Sequence, residues 1–346
     1  MKNMSRMKLV AAGDVLLHDR VYNKSLKDGK YDFRDKMAPV KELLQAGDLS
    51  IVNLESIVAG EEFGLATYPR FNNPIEIAEN LQEFGTDIIT NANNHSLDFG
   101  EEGVLKSIEN LEKIGLPYVG SHKSQTDKNT VRIFERNGIK VGVMAYSTVS
   151  NNKDFPKGKR YLLNRIIGGS TIPIRKIIER LKEEKKVDVV VLAVHFGPEY
   201  ALNPSSSQVN LATSLSDAGA DIILGHHPHV LQPAQWILNS RANKSLAIYS
   251  LGNLYTGQFG VYRQIGGVLS LDISKDEEGK VAIGEPEIDL TFVDDENNTS
   301  FQMHLFRDYI EKNRYIKTDF GKFDSLEIFT ELKNRLTQWV PDFKIR

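Results

Sequence analysis

Short, almost wholly apolar runs alternate with longer amphipathic stretches from the N-terminus to about residue 255. The runs are Lys8–Ala12, Leu49–Val52, Asp87–Thr90, Val187–Val194 and Asp221–Leu224. They lack the polar alternation of a half-exposed strand, which predicts strands covered on both faces. Between them, apolar positions recur at helical spacing over Asp35–Gln45, Pro74–Phe84, Glu101–Ile114, Ile172–Glu184 and Ser205–Ala218. Pro74 suits a first turn, and Gly115 suits a helix stop. Strand–helix alternation predicts parallel sheet with helices outside. Two stretches break the rhythm. Thr130–Glu135 and Lys140–Tyr146 flank Asn137-Gly138, which predicts a hairpin. Leu246–Leu251, Gly266–Ile273 and Val281–Leu290 read as successive strands of a second sheet. A sheet-on-sheet core with helices outside accommodates both parts. Residues 297–346 are charged and read as a helical appendage packed on a core domain of 1–296.

Each apolar run delivers polar cargo at its end. The first leads to Gly13-Asp14, with His18 four residues on. The second leads to Asn53-Leu54-Glu55. The third leads to Asn93-Asn94-His95 and Asp98. The fourth leads to His195-Phe196-Gly197-Pro198-Glu199, and the fifth to Gly225-His226-His227-Pro228-His229. Ligands of open α/β sheets bind at the carboxyl ends of strands. Besides His18, five of the chain's 8 His follow these runs. Loop polarity alone does not account for that.

Composition narrows the classes. Net charge is −3, from 43 basic and 46 acidic residues, so no electrostatic footprint for nucleic acid is present. The chain has no Cys, which removes disulfides, thiolate ligands and a cysteine nucleophile. The first apolar run is too short for a signal peptide or a membrane span, which predicts a cytoplasmic chain. No Gly-x-Ser-x-Gly elbow or Walker loop supports a serine hydrolase or a nucleotide triphosphatase.

Asp, Glu, Asn and several His without Cys suit borderline first-row metals such as Zn, Mn or Fe. Asp14 and Glu55 supply charge, and a carboxylate between two cations builds a two-metal centre. His227 and His229 alternate with Pro228, so an extended segment turns both the same way. They form the preferred ligand pair, with His226 turned toward substrate. His95 is a candidate proton donor, with Asp98 placed to orient it. Arg70 suits an anionic substrate. Glu199 and Asn253, the latter closing the run Tyr249-Ser250-Leu251-Gly252, are further substrate-side candidates. His122 and His304 stand in charged contexts and read as surface residues.

The pieces GDVLLH, NLES, NANNHSLDFG, HFGPEY, GHHPHVLQP and YSLGN, in that order over residues 13–253, resemble the CapA family of poly-γ-glutamate capsule-synthesis proteins. That family resembles the calcineurin-like metallophosphoesterases. The resemblance implies a four-layer α/β/β/α sandwich and two divalent metal ions. It implies Asp14, Glu55, Asn94, His195, His227 and His229 as ligands. Three departures stand out. The superfamily's first His lies two residues after the first Asp, whereas His18 lies four on, which sets His18 apart from the ligand set. Glu55 replaces the usual bridging Asp. The closing motif has one extra residue, so His226 is an alternative to His227.

The leading expectation is a metal-dependent hydrolase or transferase acting on an anionic peptide-like or phosphorylated substrate, with partners in a polymer-synthesis complex. A peptide epimerase or amidohydrolase on the same fold is the alternative enzyme. A non-catalytic binding protein in polymer synthesis or export is the alternative outside enzymes.

Overall fold

The computed structural model describes residues 4–151, 154–296 and 298–346. Along the chain the principal strands are Ser5–Leu16 (β1), Leu49–Leu54 (β2), Ile88–Thr90 (β3), Tyr118–Val119 (β4), Arg132–Arg136 (β5), Ile139–Ser147 (β6), Val189–His195 (β7), Ile222–His226 (β8), Leu231–Leu238 (β9), Lys244–Leu251 (β10), Asn253–Thr256 (β11), Ile265–Lys275 (β12), Glu287–Asp294 (β13) and Gln302–Leu305 (β14). The principal helices are Arg34–Gln45 (α1), Glu76–Glu83 (α2), Gly100–Ile114 (α3), Ile172–Glu183 (α4), Ser206–Asp217 (α5), Phe306–Lys312 (α6) and Ser325–Thr337 (α7).

Two sheets result. One runs β14-β13-β12-β1-β2-β3-β4, with β11 also paired to β1. The other runs β9-β10-β8-β7-β6-β5. Strands β1 to β4 are mutually parallel, as are β10, β8, β7 and β6. The unbroken apolar runs are explained by burial on both faces. In β7, Val189, Val191 and Ala193 enter the cluster between the sheets. Val190, Leu192 and Val194 instead join Ile174 and Ile178 of α4 and Leu211 and Leu215 of α5. On the other side, Met37 and Val40 of α1, Leu81 of α2 and Ile108 of α3 cover the first sheet. The order helix, sheet, sheet, helix is the expected four-layer sandwich.

Local signals set the helix ends. Gly115 adopts φ 73° after α3, and Ser205 caps α5 through a capping box with Gln208. Asn137 and Gly138 both have positive φ, 51° and 78°, and close the β5–β6 hairpin.

The sheet assignment of the later strands differs from the sequence reading. β10 lies in the second sheet, but β12 and β13 extend the first, with β12 antiparallel to β1. Apolar alternation marks a strand without saying which sheet it joins. The chain changes sheets at Gly252, φ 63°, where β10 gives way to β11 beside β1. β9 was not among the strands expected from the sequence. It is an edge strand, and Pro233 falls between the paired Gln232 and Ala234, where no N–H is needed. Residues 298–346 supply two helices, as expected, and also strands. β14 pairs with β13, and Phe301, Phe306, Leu332, Leu336 and Phe343 are buried in the main core. Among the described residues no helix is long and apolar enough to cross a membrane.

Close backbone approach brings the strand ends together. A Cβ at Gly225 would meet the Tyr249 carbonyl oxygen at 2.0 Å, and one at Gly13 would meet that of Gly252 at 2.1 Å. Neither neighbour is a flexible side chain. Gly225→Ala is therefore expected to destabilise the fold by about 1–3 kcal/mol or more. An unchanged denaturation midpoint would contradict this.

His122 is buried, at 4% exposure, contrary to the surface reading. Its charged neighbours in sequence turn outward while its backbone N–H donates to the Leu162 carbonyl. Burial pushes the imidazole down to about 4; Asp127 opposes this and Arg132 reinforces it. As pH falls below about 6.5 the unfolded chain takes up this proton first, so stability is lost progressively toward pH 4. His122→Gln is expected to flatten the stability–pH curve in that window, as read by thermal melts. An unaltered slope would refute the assignment. His304 is half-buried, its ring 5.3 Å from that of Tyr309.

Candidate metal centre

Register places the candidate ligands at one end of both sheets. In the first sheet Asp14 stands opposite Asn53 on β2 and Asn253 on β11, at a break in the β1 register. Such irregularities re-aim a side chain. In the second sheet His226 stands opposite His195. Asp14, Glu55, Asn94, His195, His226, His227 and His229 are all buried.

Asp14 is held from several sides. Its Oδ1 accepts from Asn53 Nδ2 at 2.8 Å and lies 3.0 Å from His226 Nδ1. Its Oδ2 accepts from the His227 backbone N–H at 3.2 Å and lies 3.4 Å from His229 Nδ1. Burial alone would raise its pKa, but the His226 and His229 contacts outweigh that and hold it well below the ordinary carboxylate range.

Glu55 is the opposite case. Burial, then the nearby Asp14 and Glu199 charges, push it well above the usual value. Neither of its oxygens has a hydrogen-bond partner. Oε1 lies 3.3 Å from His195 Nε2, 3.4 Å from His229 Nε2 and 3.9 Å from His227 Nδ1. Burial, with His227 next, holds His195 well below its usual pKa. Burial, with His229 next, takes His227 down to about 3. These two imidazoles are thus neutral at neutral pH, the form that ligates metal.

A buried carboxylate with two unpartnered oxygens is costly unless a cation compensates it. The donors fit one. Glu55, His195 and His227 bring ligand atoms within 4.8 Å of one another, and so do Asp14, Glu55 and His229. The two groups share Glu55. A third group, Glu199 with His227 and His229, opens toward solvent. This donor set of oxygen and imidazole nitrogen suits Mn, Zn or Fe.

His227 and His229, the pair taken from the sequence by strand alternation, fall in these geometric groups, and His226 does not. The reason differs from strand alternation. His227 and His229 adopt φ 97° and 59°, so the segment is a tight loop and not extended. Asn94 Oδ1 contacts His195 Nε2 at 2.8 Å. Asn253 Oδ1 contacts His229 Nδ1 at 2.9 Å, which makes it a support for that ring. His18 belongs to none of the groups; its ring packs edge-on against Phe71, 5.1 Å between centroids.

A cleft of about 390 Å³ opens beside the ligands, lined by His95, His229, Glu199, Tyr200 and Arg263 among others. His95 Nδ1 sits 2.7 Å from Asp98 Oδ2, which also accepts from the Phe71 backbone N–H at 2.8 Å. The Phe71 ring packs on His95, 4.7 Å between centroids. The imidazole is thus fixed on two sides. Arg70 is exposed, its guanidinium 4.9 Å from the Phe99 ring centre, and it is not part of the cleft wall. Glu199 Oε1 lies 3.8 Å from His229 Nε2, at the solvent side of the ligand set.

Sequence reasoning missed several supports. Asn53 orients Asp14, and Thr90 in turn donates to Asn53 Oδ1 at 2.9 Å. Asn93 Oδ1 accepts from the His95 backbone N–H at 3.0 Å. Both stand in the quoted strand-end segments, so position was their available signal. Tyr200 closes the quoted HFGPEY piece, whereas Arg263 lies in none of the quoted segments.

The geometry can be set beside known proteins. A family described as "Bacterial capsule synthesis protein PGA_cap" matches residues 8–258. The PGA biosynthesis protein CapA of Bacillus subtilis is 28% identical over 253 residues, covering 70% of this chain and 62% of that protein. The capsule biosynthesis protein CapA of Bacillus anthracis is 33% identical over 187 residues, covering 53% and 43%. The chain thus spans under two thirds of either relative. Among solved structures, the NAD nucleotidase NadN of Haemophilus influenzae aligns with TM-score 0.53 at 13% identity, over 99% of this chain and 57% of that one. A putative 5'-nucleotidase from Staphylococcus aureus aligns with TM-score 0.51 at 15% identity, over 81% and 54%. At such identity the likeness concerns the fold, which is of the calcineurin-like metallophosphoesterase type. By a match that takes in every candidate ligand, the chain belongs to the bacterial capsule synthesis protein family, PGA_cap.

Proposed function

We propose that this chain is a metal-dependent hydrolase or transferase of capsule-polymer synthesis, acting on an anionic peptide-like or phosphorylated substrate. The observation that carries the reading is Glu55, fully buried, without hydrogen-bond partners, and shared by two ligand groups. Asp14, Glu55 and His229 would hold one ion, and Glu55, Asn94, His195 and His227 a second. When bound, such ions supply Lewis-acid activation of water and of a substrate oxygen. The chain's own residues do the rest. His95, oriented through Nδ1 by Asp98, presents Nε2 as proton donor to a leaving group in the cleft. Asn53 and Asn253 keep Asp14 and His229 in place. Glu199 and His226 border the substrate's position. Partners in polymer synthesis are part of the same proposal.

The test is turnover by the metal-loaded protein on a phosphodiester, a phosphomonoester and γ-glutamyl peptides. Turnover that disappears on chelation is expected on at least one. Full metal occupancy with no turnover on any of them contradicts the hydrolase reading and favours the epimerase or binding alternatives.

A further inference from the structure

Arg263 stands in the wall of the cleft, at the end of a short turn after β11. Its guanidinium carbon lies 4.4 Å from the centre of the Tyr200 ring. It forms no ion pair among the described residues. The neighbouring arginines are placed differently. Arg20 lies over Phe259 at 3.4 Å, with the Asp295 and Asp319 charges acting on it. Arg70 covers Phe99 outside the cleft wall. Both ends of the Tyr200–Arg263 pair are tied to the ligand loop. The Tyr200 backbone N–H donates to the Pro228 carbonyl at 2.8 Å, between His227 and His229. The Arg263 carbonyl accepts from Asn253 Nδ2 at 2.9 Å, and Asn253 also contacts His229.

Stacking covers one face of a guanidinium and leaves its N–H edge free. That edge matches a carboxylate or phosphoryl group through two parallel hydrogen bonds. The carboxylate at this wall, Glu199, is directed toward His229. We propose that Arg263, seated on Tyr200, docks an oxyanion of the substrate and sets the cleft's preference for anionic ligands. The inference rests on the metal-site reading above and gives its substrate a recognition residue.

The test begins with metal content, measured on wild type, Arg263→Gln, Arg263→Lys and Tyr200→Leu after loading with Mn. Each protein is then titrated calorimetrically with inorganic phosphate and, separately, with γ-glutamylglutamate. Arg263→Gln is expected to keep its metal, which also reports a folded site. It should weaken binding of the docked anion roughly tenfold to a hundredfold, the worth of a charged hydrogen bond. Arg263→Lys, with charge but no planar fork, should fall between. Tyr200→Leu should weaken the same anion with metal retained. Loss confined to phosphate identifies a phosphoryl group, and loss confined to the peptide a carboxylate. Equal binding of both anions by wild type and Arg263→Gln, at equal metal content, overturns the proposal, as does a metal-loaded wild type that binds neither. A wild type that takes up no metal refutes the metal-site reading before any anion is added. Arg263 is then judged by the same titrations on the metal-free chain.

Discussion

Replacing His95 with alanine should lower turnover by roughly 10²–10⁴-fold, the usual contribution of a positioned general acid, while metal content stays that of wild type. His95 is absent from every ligand group, and its Nδ1 is engaged by Asp98 at 2.7 Å. Asp98 is itself anchored by the Phe71 backbone N–H. Asp98→Asn should therefore reproduce part of the loss, because an amide in its place can present the wrong partner to the ring. The loss for His95→Ala should shrink on a substrate whose leaving group needs no proton, such as a nitrophenolate. Unchanged turnover on a poor leaving group would make His95 a packing residue. Loss of metal together with turnover would make it a ligand, and the donor would be sought at His226, whose Nε2 is buried without a partner.

Glu55→Gln should remove at least one metal equivalent per chain, and with it activity, because both ligand groups share this carboxylate. The same substitution should have the opposite effect on the metal-free protein. There Glu55 is a buried carboxyl crowded by Asp14, with no hydrogen bond to either oxygen. Burial, with Asp14 next, raises the pKa of this carboxyl, so it lowers the stability of the folded state at pH above the ordinary carboxyl value, and removing it is stabilising there. Metal-free Glu55→Gln is therefore expected to be more stable than metal-free wild type by about 1–3 kcal/mol at neutral pH. Added metal should reverse the order, since binding to the folded state raises stability only where the site is intact. Denaturant melts with and without metal read both halves. A variant that is less stable than wild type in both states would show that Glu55 serves the fold and not a cation.

Much of this was legible in the chain because burial and chemistry meet at strand ends. Unbroken apolar runs required cover on both faces, and β7 splits its valines between two clusters as that requires. The same runs end at Asp14, Glu55, His195 and His226, so locating the strands located these candidate residues. Helix limits at Gly115 and Ser205 followed from capping chemistry. What escaped was long-range. No local pattern says that β12 turns back to pair with β1, or that Pro233 sits at a free edge. His122 looked exposed because its sequence neighbours are charged, whereas it is buried and its backbone N–H meets the Leu162 carbonyl from far along the chain. Arg70 was read as suited to an anionic substrate, yet Arg263 reaches the cleft wall by a turn that only the β11–β12 connection creates. His227 and His229 were chosen by an alternation that their positive φ angles do not follow.

The central claim is that Glu55 is shared by two cations. Metal content of wild type and Glu55→Gln, after loading with Mn and removal of free ions, tests it most directly. The account predicts about two ions per wild-type chain, in line with a two-metal centre, and a loss of one or both in the variant. A wild type that retains no metal, or a variant that retains as much as wild type, would contradict it.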